Sequence, residues 1–356
     1  MNLKKMVLPF AIIGLLSFTG TIYAAQKMPN DKSSASQADP EMQKVLDALA
    51  SLNGKPIAKL TPEEARTQPT PADAVIKVLK DEGTSTEPQP VANVKDITIP
   101  GPHGEIPARV FTPIGTGPFP VIVYFHGGGF VIASTKVYEA SVRGLANGAE
   151  AIVFSVDYHL APEHKYPTQP HEAYAAFSWV LKHASEFNGD PKRVAVAGES
   201  AGGNLATVVS LIARDKKEPL PVHQLLVYPV VDNKMNNASY IKYAHAKPLD
   251  KPMMQWFFKH YAKQKSDAEN AYALPNKAKT LKGLPPTTLI TAEIDPLYSE
   301  GKAFAERLKS DNVPVVYQHY EGVTHEFFGM AAVVSKAKEA QDFASAELKK
   351  AFAAVK

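Results

Sequence analysis

The chain has 356 residues, of which 45% are hydrophobic and 21% charged, a balance typical of globular rather than disordered proteins. Its formal net charge of +3 excludes the strong bulk attraction to nucleic acid that a basic protein would have. It contains no cysteine, which excludes disulfides, thiolate catalysis and cysteine-based metal sites. The length fits one large α/β domain with an added lid as well as it fits two domains.

The first 25 residues have the three-part pattern of a secretory signal peptide. Lys4 and Lys5 give a basic start, an apolar run covers residues 6–18, and Ala24 and Ala25 offer small residues for cleavage. An uncleaved membrane anchor is the alternative, but the run is shorter than the roughly 20 residues that span a bilayer. We therefore expect a signal peptide at residues 1–25, a secreted or periplasmic protein, and no stable membrane anchor after cleavage.

Residues 26–93 are polar, with scattered prolines and two short stretches of helical periodicity. The second stretch covers residues 72–79, and the first, residues 41–52, has apolar side chains at helical spacing: Met42, Val45, Leu46 and Leu49. These patterns predict an N-terminal helical cap or a mobile leader rather than part of a core.

From residue 94 onward, strand-like and helix-like patterns alternate, which predicts one domain over residues 94–356. A hairpin turn at residues 101–104 separates the first two strands, at 94–99 and 108–111. Continuous apolar runs predict strands buried on both faces at residues 121–125, 151–156, 194–197, 225–228, 286–291 and 315–319. Helical patterns cover residues 139–147, 169–187, 201–214, 300–310 and 343–355. The expected fold is an α/β fold with a mostly parallel central sheet and helices on both faces.

Residues 233–283 interrupt this alternation and contain a bulky stretch at 253–258 followed by Tyr261. Inserted after a strand, such a segment could form the second part of a cap over a site, because folds of this kind place function at the carboxyl ends of their strands. The alternative is an ordinary surface helix that buries one face. We favour a cap insertion at residues 233–283.

The strongest chemical signal is Gly-Glu-Ser-Ala-Gly at residues 198–202, between an apolar strand and a helix. This context predicts a nucleophile elbow, in which Ser200 is exposed at the top of a tight turn. Gly198 and Gly202 leave room that side chains would obstruct. The motif alone is weak, and the flanking strand and helix make it moderately specific.

A second signal is His-Gly-Gly-Gly-Phe at residues 126–130, directly after a strand. Such a loop lets backbone N–H groups approach a substrate oxygen and so predicts an oxyanion hole. The expected donors are the N–H groups of Gly128, Gly129 and Ala201, with Gly127 as the fallback. A phosphate-binding loop is the alternative, but no Lys-Ser/Thr pair follows the glycines.

A serine nucleophile needs a base, and after an elbow the chain order is serine, acid, histidine. His325 follows the last predicted strand, where the base belongs, whereas His319 lies inside that strand. For the acid we select Asp295, in the loop after the preceding strand, to hold the imidazole in the right tautomer. Glu293 is the alternative, and Asp232 follows an earlier strand and is a poorer candidate.

These motifs together resemble the bacterial hormone-sensitive-lipase-like family of α/β-hydrolase esterases. The resemblance spans roughly residues 95–350 and implies the triad Ser200–Asp295–His325, the oxyanion donors named above, and a cap built from the N-terminal segment and residues 233–283. It rests on His-Gly-Gly-Gly-Phe at 126–130, Asp-Tyr at 157–158, Leu-Ala-Pro-Glu at 160–163, Gly-Glu-Ser-Ala-Gly-Gly-Asn at 198–204, Asp-Pro-Leu at 295–297, and His325.

Two positions depart from the family pattern. His159 stands where the family often has an arginine, which puts any salt bridge of that arginine in doubt. Ser299 replaces one member of an acidic pair and leaves Glu300 as the single acid.

The resulting hypothesis is a serine carboxylesterase that hydrolyses short-chain acyl esters through an acyl-enzyme, with residues 94–356 as its catalytic domain. The resemblance implies the preference for short chains. The expected partner is a small-molecule ester, with no metal or organic cofactor and no nucleic acid, and a homodimer stays open. The alternatives are a lipase for longer acyl chains, a polysaccharide deacetylase, and a non-catalytic protein that uses the pocket to bind a ligand.

Overall fold

The computed structural model describes residues 37–355, so the predicted signal peptide and the first residues of segment 26–93 lie outside the described part. Within that part, eight strands form one sheet in the order β1-β2-β4-β3-β5-β6-β7-β8. Strand β2 runs antiparallel to β1 and β4, and all other neighbours are parallel. The strands are β1 (Asn93–Gly101), β2 (Gly104–Thr112), β3 (Phe119–Phe125), β4 (Ile152–Val156), β5 (Gly189–Glu199), β6 (Gln224–Val227), β7 (Thr287–Ile294) and β8 (Val315–Thr324).

Helices cover both faces of this sheet, so the predicted α/β-hydrolase architecture is confirmed. None of the helices in residues 37–355 is long and apolar enough to span a membrane. The α-helices are α1 (Pro40–Ser51), α2 (Pro62–Ala65), α3 (Pro71–Asp81), α4 (Glu139–Ala149), α5 (Thr168–His183), α6 (Ala201–Lys216), α7 (Ala238–Lys242), α8 (Lys251–Tyr261), α9 (Tyr298–Ser310) and α10 (Ser335–Ala353).

Strand β3 shows why these strands appear as continuous apolar runs in the sequence. Val121, Val123 and Phe125 belong to one buried cluster, which includes side chains of α5, α6, α8 and α9. Ile122 and Tyr124 belong to the other, which includes side chains of α1, α3, α4 and α10. Because successive side chains of a strand point to opposite faces, a strand covered on both sides must be apolar at every position.

Several element boundaries differ from those predicted, among them the starts of β2 and β5 and two boundaries near the C-terminus. Strand β8 extends to Thr324, so the catalytic-base candidate His325 follows it at once. Helix α10 begins at Ser335 rather than at residue 343. Its first turn is capped by Glu41 of α1, whose carboxylate accepts hydrogen bonds from the Ser335 N–H at 2.6 Å and the Ser335 hydroxyl at 2.8 Å. This partner is distant in sequence, so no local pattern marks the start of the helix.

The two segments predicted to form a cap contact each other. In the N-terminal segment, the carbonyl of Leu60 accepts a 3.0 Å hydrogen bond from the indole N–H of Trp256 in α8. Arg66, just after α2, donates from Nε to the carbonyl of Val131 at 2.9 Å and from Nη2 to that of Ala161 at 2.9 Å. It also binds both carboxylate oxygens of Glu163, at 2.8 and 2.7 Å. The assignment of these segments as a cap stays a prediction.

Replacing Arg66 with Ala should lower the free energy of unfolding by about 2 kcal/mol, because two carbonyls and a carboxylate lose a charged donor. The Arg66 hydrogen bond lowers the pKa of Glu163 to about 2, but the Glu163 side chain is 53% exposed, so solvent screens this pair and the two carbonyls account for most of the expected loss. Urea unfolding measures the change. Lys44→Ala is the control: its pair with Glu82 joins side chains that are 60% and 42% exposed, so it should have no measurable effect. Equal stability of the Arg66 variant and wild type would contradict this role.

Candidate active site

The Ser200 turn has the geometry of a nucleophile elbow. Ser200 lies between the end of β5 and the start of α6 with φ 57° and ψ −116°, a conformation that non-glycine residues rarely adopt. A Cβ on Gly198 would lie 2.2 Å from the carbonyl oxygen of Gly202, and one on Gly202 would lie 1.9 Å from that of Phe125. Only glycine fits at these two positions, which explains the Gly-x-Ser-x-Gly spacing.

Ser200, His325 and Asp295 come together at the carboxyl ends of β5, β8 and β7. Nε2 of His325 lies 3.0 Å from Oγ of Ser200, and its Nδ1 lies 2.7 Å from Oδ2 of Asp295. The other carboxylate oxygen of Asp295 accepts the N–H of Leu297 at 2.8 Å, which fixes its orientation. All three triad candidates are buried, and Ser200, which was expected to be exposed at the top of the turn, is only 5% exposed. The imidazole therefore connects a serine hydroxyl to a carboxylate.

The residues that we considered as alternatives make other contacts. Glu293 accepts the backbone N–H of Gly322 at 2.9 Å. Asp232 accepts the N–H of Asn233 at 2.8 Å and the side-chain amide of Asn276 at 2.8 Å. His319 lies within β8, with Nδ1 at 3.0 Å from the hydroxyl of Thr291. The structure thus brings Asp295, rather than Glu293 or Asp232, to hydrogen-bond distance of His325.

The glycine loop after β3 lies beside this elbow. Gly128 and Gly129 have φ values of 89° and 59°, the left-handed region that favours glycine. Within residues 37–355 the backbone N–H groups of Gly127, Gly128, Gly129 and Ala201 have no hydrogen-bond acceptor. A Cβ on Gly129 would lie 2.2 Å from the ring of Phe257, so helix α8 packs directly against this loop. The N–H groups are free to bind a substrate oxygen.

Comparison with known proteins agrees with this geometry. A family profile described as the alpha/beta hydrolase fold matches residues 122–329, more than half of the chain. The chain belongs to the hormone-sensitive-lipase-like α/β-hydrolases.

Carboxylesterases are among the relatives of this hydrolase. The carboxylic ester hydrolase LipN of Mycobacterium tuberculosis is 39% identical over 249 residues, which cover 68% of this chain and 66% of LipN, just under two thirds of its length. The carboxylesterase NlhH of the same species is 39% identical over 252 residues, 69% of this chain and 79% of NlhH. A Pyrobaculum calidifontis esterase structure superposes with a TM-score of 0.79 at 36% identity, covering 90% of this chain and 100% of that one. The hydrolase is a carboxylesterase.

Charge around the imidazole of the hydrolase favours its protonated form. Burial lowers the pKa of His325, but the charge and hydrogen bond of Asp295 raise it, and Glu326 and Glu199 add to this effect. The net pKa is above the ordinary value of histidine. The ring of Tyr228 packs against the imidazole at 4.4 Å between ring centroids. The surrounding carboxylates therefore stabilise a protonated imidazole at this position.

Behind the triad lies a buried acidic group that the sequence analysis did not single out. Glu199 accepts hydrogen bonds from the hydroxyls of Tyr124, at 2.5 Å, and Tyr228. Burial, with the charge of Glu326, raises the pKa of Glu199 to about 7. Its position next to Ser200 in the elbow motif could have drawn attention to it. Its role could not be predicted, because its two tyrosine partners come from distant parts of the sequence, β3 and the residue after β6.

The two departures from the family pattern are His159, in place of an arginine, and Ser299, which leaves Glu300 as the single acid. Both His159 and Glu300 have hydrogen-bond partners in the structure. Nδ1 of His159 donates to Oε1 of the buried Glu172 at 2.7 Å, and the backbone N–H of His159 donates to Oε2 at 2.9 Å. Glu300 accepts the N–H groups of Val231 at 2.9 Å and Asp232 at 3.1 Å. The histidine thus keeps a carboxylate partner, and the single acid holds the segment after β6 against α9.

Proposed function

We propose that the chain hydrolyses short-chain carboxylic esters through an acyl-enzyme on Ser200. The observation that carries this proposal is the hydrogen-bonded series from Ser200 Oγ through His325 to Asp295, beside backbone N–H groups without an acceptor. A serine alone is a poor nucleophile at neutral pH, and this arrangement supplies the base that it needs.

In the first step, His325 Nε2 takes the proton of Ser200 while Oγ attacks the ester carbonyl. The oxyanion of the tetrahedral intermediate accepts hydrogen bonds from the N–H groups of Gly128, Gly129 and Ala201. His325 then protonates the leaving alcohol. Water attacks the acyl-enzyme in the second step, again through His325, and releases the acid and free Ser200.

The aromatic side chains of α8 support the preference for short acyl chains. Phe257 packs on Gly129 of the oxyanion loop, and Tyr261 stacks on Phe130 with ring centroids 4.0 Å apart. Bulky rings this close to the loop restrict the space beside the reacting carbonyl.

The test is kcat/KM on p-nitrophenyl esters of increasing acyl length, from acetate to palmitate. The highest value should fall among the short chains, and Phe257→Ala, which removes the ring, should move the maximum toward longer ones. A maximum on long, emulsified lipids in the wild type would contradict the proposal and favour a lipase.

Export is the second part of the proposal, and the pattern of residues 1–25 supports it. Expression of the full chain in a bacterium, followed by fractionation and mass measurement of the protein, tests it. Recovery outside the cytosol with an N-terminus near Ala25 or Gln26 is expected. A full-length product in the cytosol or fixed in the membrane would contradict it.

We propose that the protein forms a homodimer. Of the described strands, β8 ends the sheet on one side. Asp39 bonds to its carboxyl-terminal part at Gly322, but Val316 near its start is 42% exposed, so the first half of this edge is available to pair with the same edge of a second copy. Light scattering at micromolar concentration should give twice the chain mass, and a monomer at all concentrations would contradict the proposal.

A further inference from the structure

Glu326, which directly follows His325, has a backbone conformation that glutamate rarely adopts. Its φ is 70°, in the left-handed region that favours glycine. Such strain at an active site persists only where the surrounding contacts maintain it. Here the hydroxyl of Tyr138 donates to Oε1 of Glu326 at 2.7 Å. The same hydroxyl lies so close to Gly127 that a Cβ there would be 2.2 Å away, so Tyr138 connects Glu326 with the oxyanion loop.

The Glu326 carboxylate lies next to the reacting nitrogen of the imidazole. Oε1 is 3.9 Å from Nε2 of His325, the atom that also faces Ser200. This distance is too long for a direct hydrogen bond, but one water molecule about 2.8 Å from both atoms fits it. The side chain of Glu326 is 20% exposed, whereas those of His325 and Asp295 are 3% and 1% exposed. Glu326 is therefore the more exposed of the two carboxylates beside the imidazole, and a water bound to it would also contact Nε2.

We propose that Glu326 binds and orients the water that hydrolyses the acyl-enzyme, which makes it a catalytic residue of the second step. The proposal rests on the proposed function, because it needs an acyl group on Ser200. The role is separate from that of Asp295, which contacts the other imidazole nitrogen.

The step balances without a further reactant. One hydrogen of the water goes to Nε2 of His325 as the water oxygen bonds to the acyl carbon. The other hydrogen stays on that oxygen and is hydrogen-bonded to Oε1 of Glu326. The tetrahedral intermediate then collapses, the bond from carbon to Ser200 Oγ breaks, and Oγ takes the proton back from Nε2. Glu326 begins and ends this step in the same protonation state.

Water and a simple alcohol differ in the number of O–H hydrogens, and Glu326 would bind the second one. Water has two O–H hydrogens, one for His325 and one for Glu326, whereas methanol has a single O–H hydrogen, which His325 must receive. Loss of Glu326 should therefore slow hydrolysis of the acyl-enzyme and leave its methanolysis nearly unchanged. A merely structural role, or a general electrostatic effect on His325, would change both reactions together.

The experiment measures p-nitrophenyl butyrate turnover by stopped flow, with and without methanol, in wild type, Glu326→Gly and Glu326→Gln. Glycine adopts the left-handed conformation freely, which offsets the loss of the Tyr138 hydrogen bond, so Glu326→Gly should remain folded, and circular dichroism checks this. The matched control is Glu150→Gly, an exposed glutamate with φ 50° at the end of α4, which should leave the kinetics unchanged.

Glu326→Gly should form the acyl-enzyme at nearly the wild-type rate and hydrolyse it about tenfold more slowly, the effect of losing one well-placed hydrogen bond. The ratio of methyl butyrate to butyric acid should rise by about the same factor, and Glu326→Gln, which keeps an acceptor oxygen, should recover part of the loss. An unchanged ratio would overturn the proposal, whatever happens to the overall rate. Absence of an acyl-enzyme in the wild type would instead contradict the proposed function.

Discussion

Asp295→Asn should lower kcat for p-nitrophenyl butyrate by about 10⁴-fold, the size of effect seen when a triad carboxylate becomes an amide. The carboxylate accepts the Nδ1 proton of His325 at 2.7 Å, which leaves Nε2 free to accept the proton of Ser200. An amide can donate to Nδ1 instead and so place the proton on Nε2, where it blocks the reaction. Binding should change much less, so KM should stay within a few-fold of the wild-type value.

The pH profile separates this explanation from simple unfolding. Burial lowers the pKa of His325 and the charge of Asp295 raises it, so loss of that charge should lower the pKa. Because neutral His325 is the active form, activity is lost as pH falls through this pKa, and the residual activity of the variant should persist to lower pH than that of wild type. Glu293→Gln is the matched control, since Gln can still accept the Gly322 N–H, and it should retain activity. A large loss in Glu293→Gln with little in Asp295→Asn would reverse the assignment.

Gly129→Ala should lower kcat by about 10²-fold, the lower end of the range for loss of one oxyanion donor. The added methyl would lie 2.2 Å from Cγ of Phe257, and the φ of 59° disfavours any side chain. The loop or α8 must therefore shift, and the N–H groups of Gly128 and Gly129 move away from the substrate oxygen. The effect should appear in kcat more than in KM, because these donors act mainly on the transition state.

A double-mutant cycle identifies the contact responsible. Phe257→Ala in the Gly129→Ala background removes the clash and should restore roughly tenfold of the lost activity, whereas the strain at φ remains. Gly83→Ala is the control for the backbone effect alone, because its φ is 67° and nothing lies within 4 Å of the added methyl. It should retain full activity. Wild-type activity in Gly129→Ala would show that this part of the loop does not form the oxyanion hole.

The sequence predicts those parts of the molecule that local chemistry determines. Strands β3 to β7 were recognisable as apolar runs because both faces of the sheet are covered, whereas the first half of the edge strand β8 is only partly buried, contrary to the prediction for residues 315–319. The elbow was recognisable because Gly198 and Gly202 have no room for a side chain. Asp295 and His325 followed from their positions after successive strands, since the carboxyl ends of parallel strands meet at one edge.

The parts that were missed depend on partners that are distant in sequence. Arg66 contacts Val131, Ala161 and Glu163, which no local pattern connects with it. Glu326 looks like an ordinary loop residue until its φ and its hydrogen bond from the distant Tyr138 are known.

The most direct test of the central claim is hydrolysis of p-nitrophenyl butyrate by the purified protein and by its Ser200→Ala variant, with circular dichroism to compare their folds. The account predicts brisk turnover in the wild type and a loss of at least about 10⁴-fold in a folded variant, because the nucleophile is absent. Equal turnover in both proteins, or none in the wild type, would contradict the assignment of Ser200 as the nucleophile of an esterase.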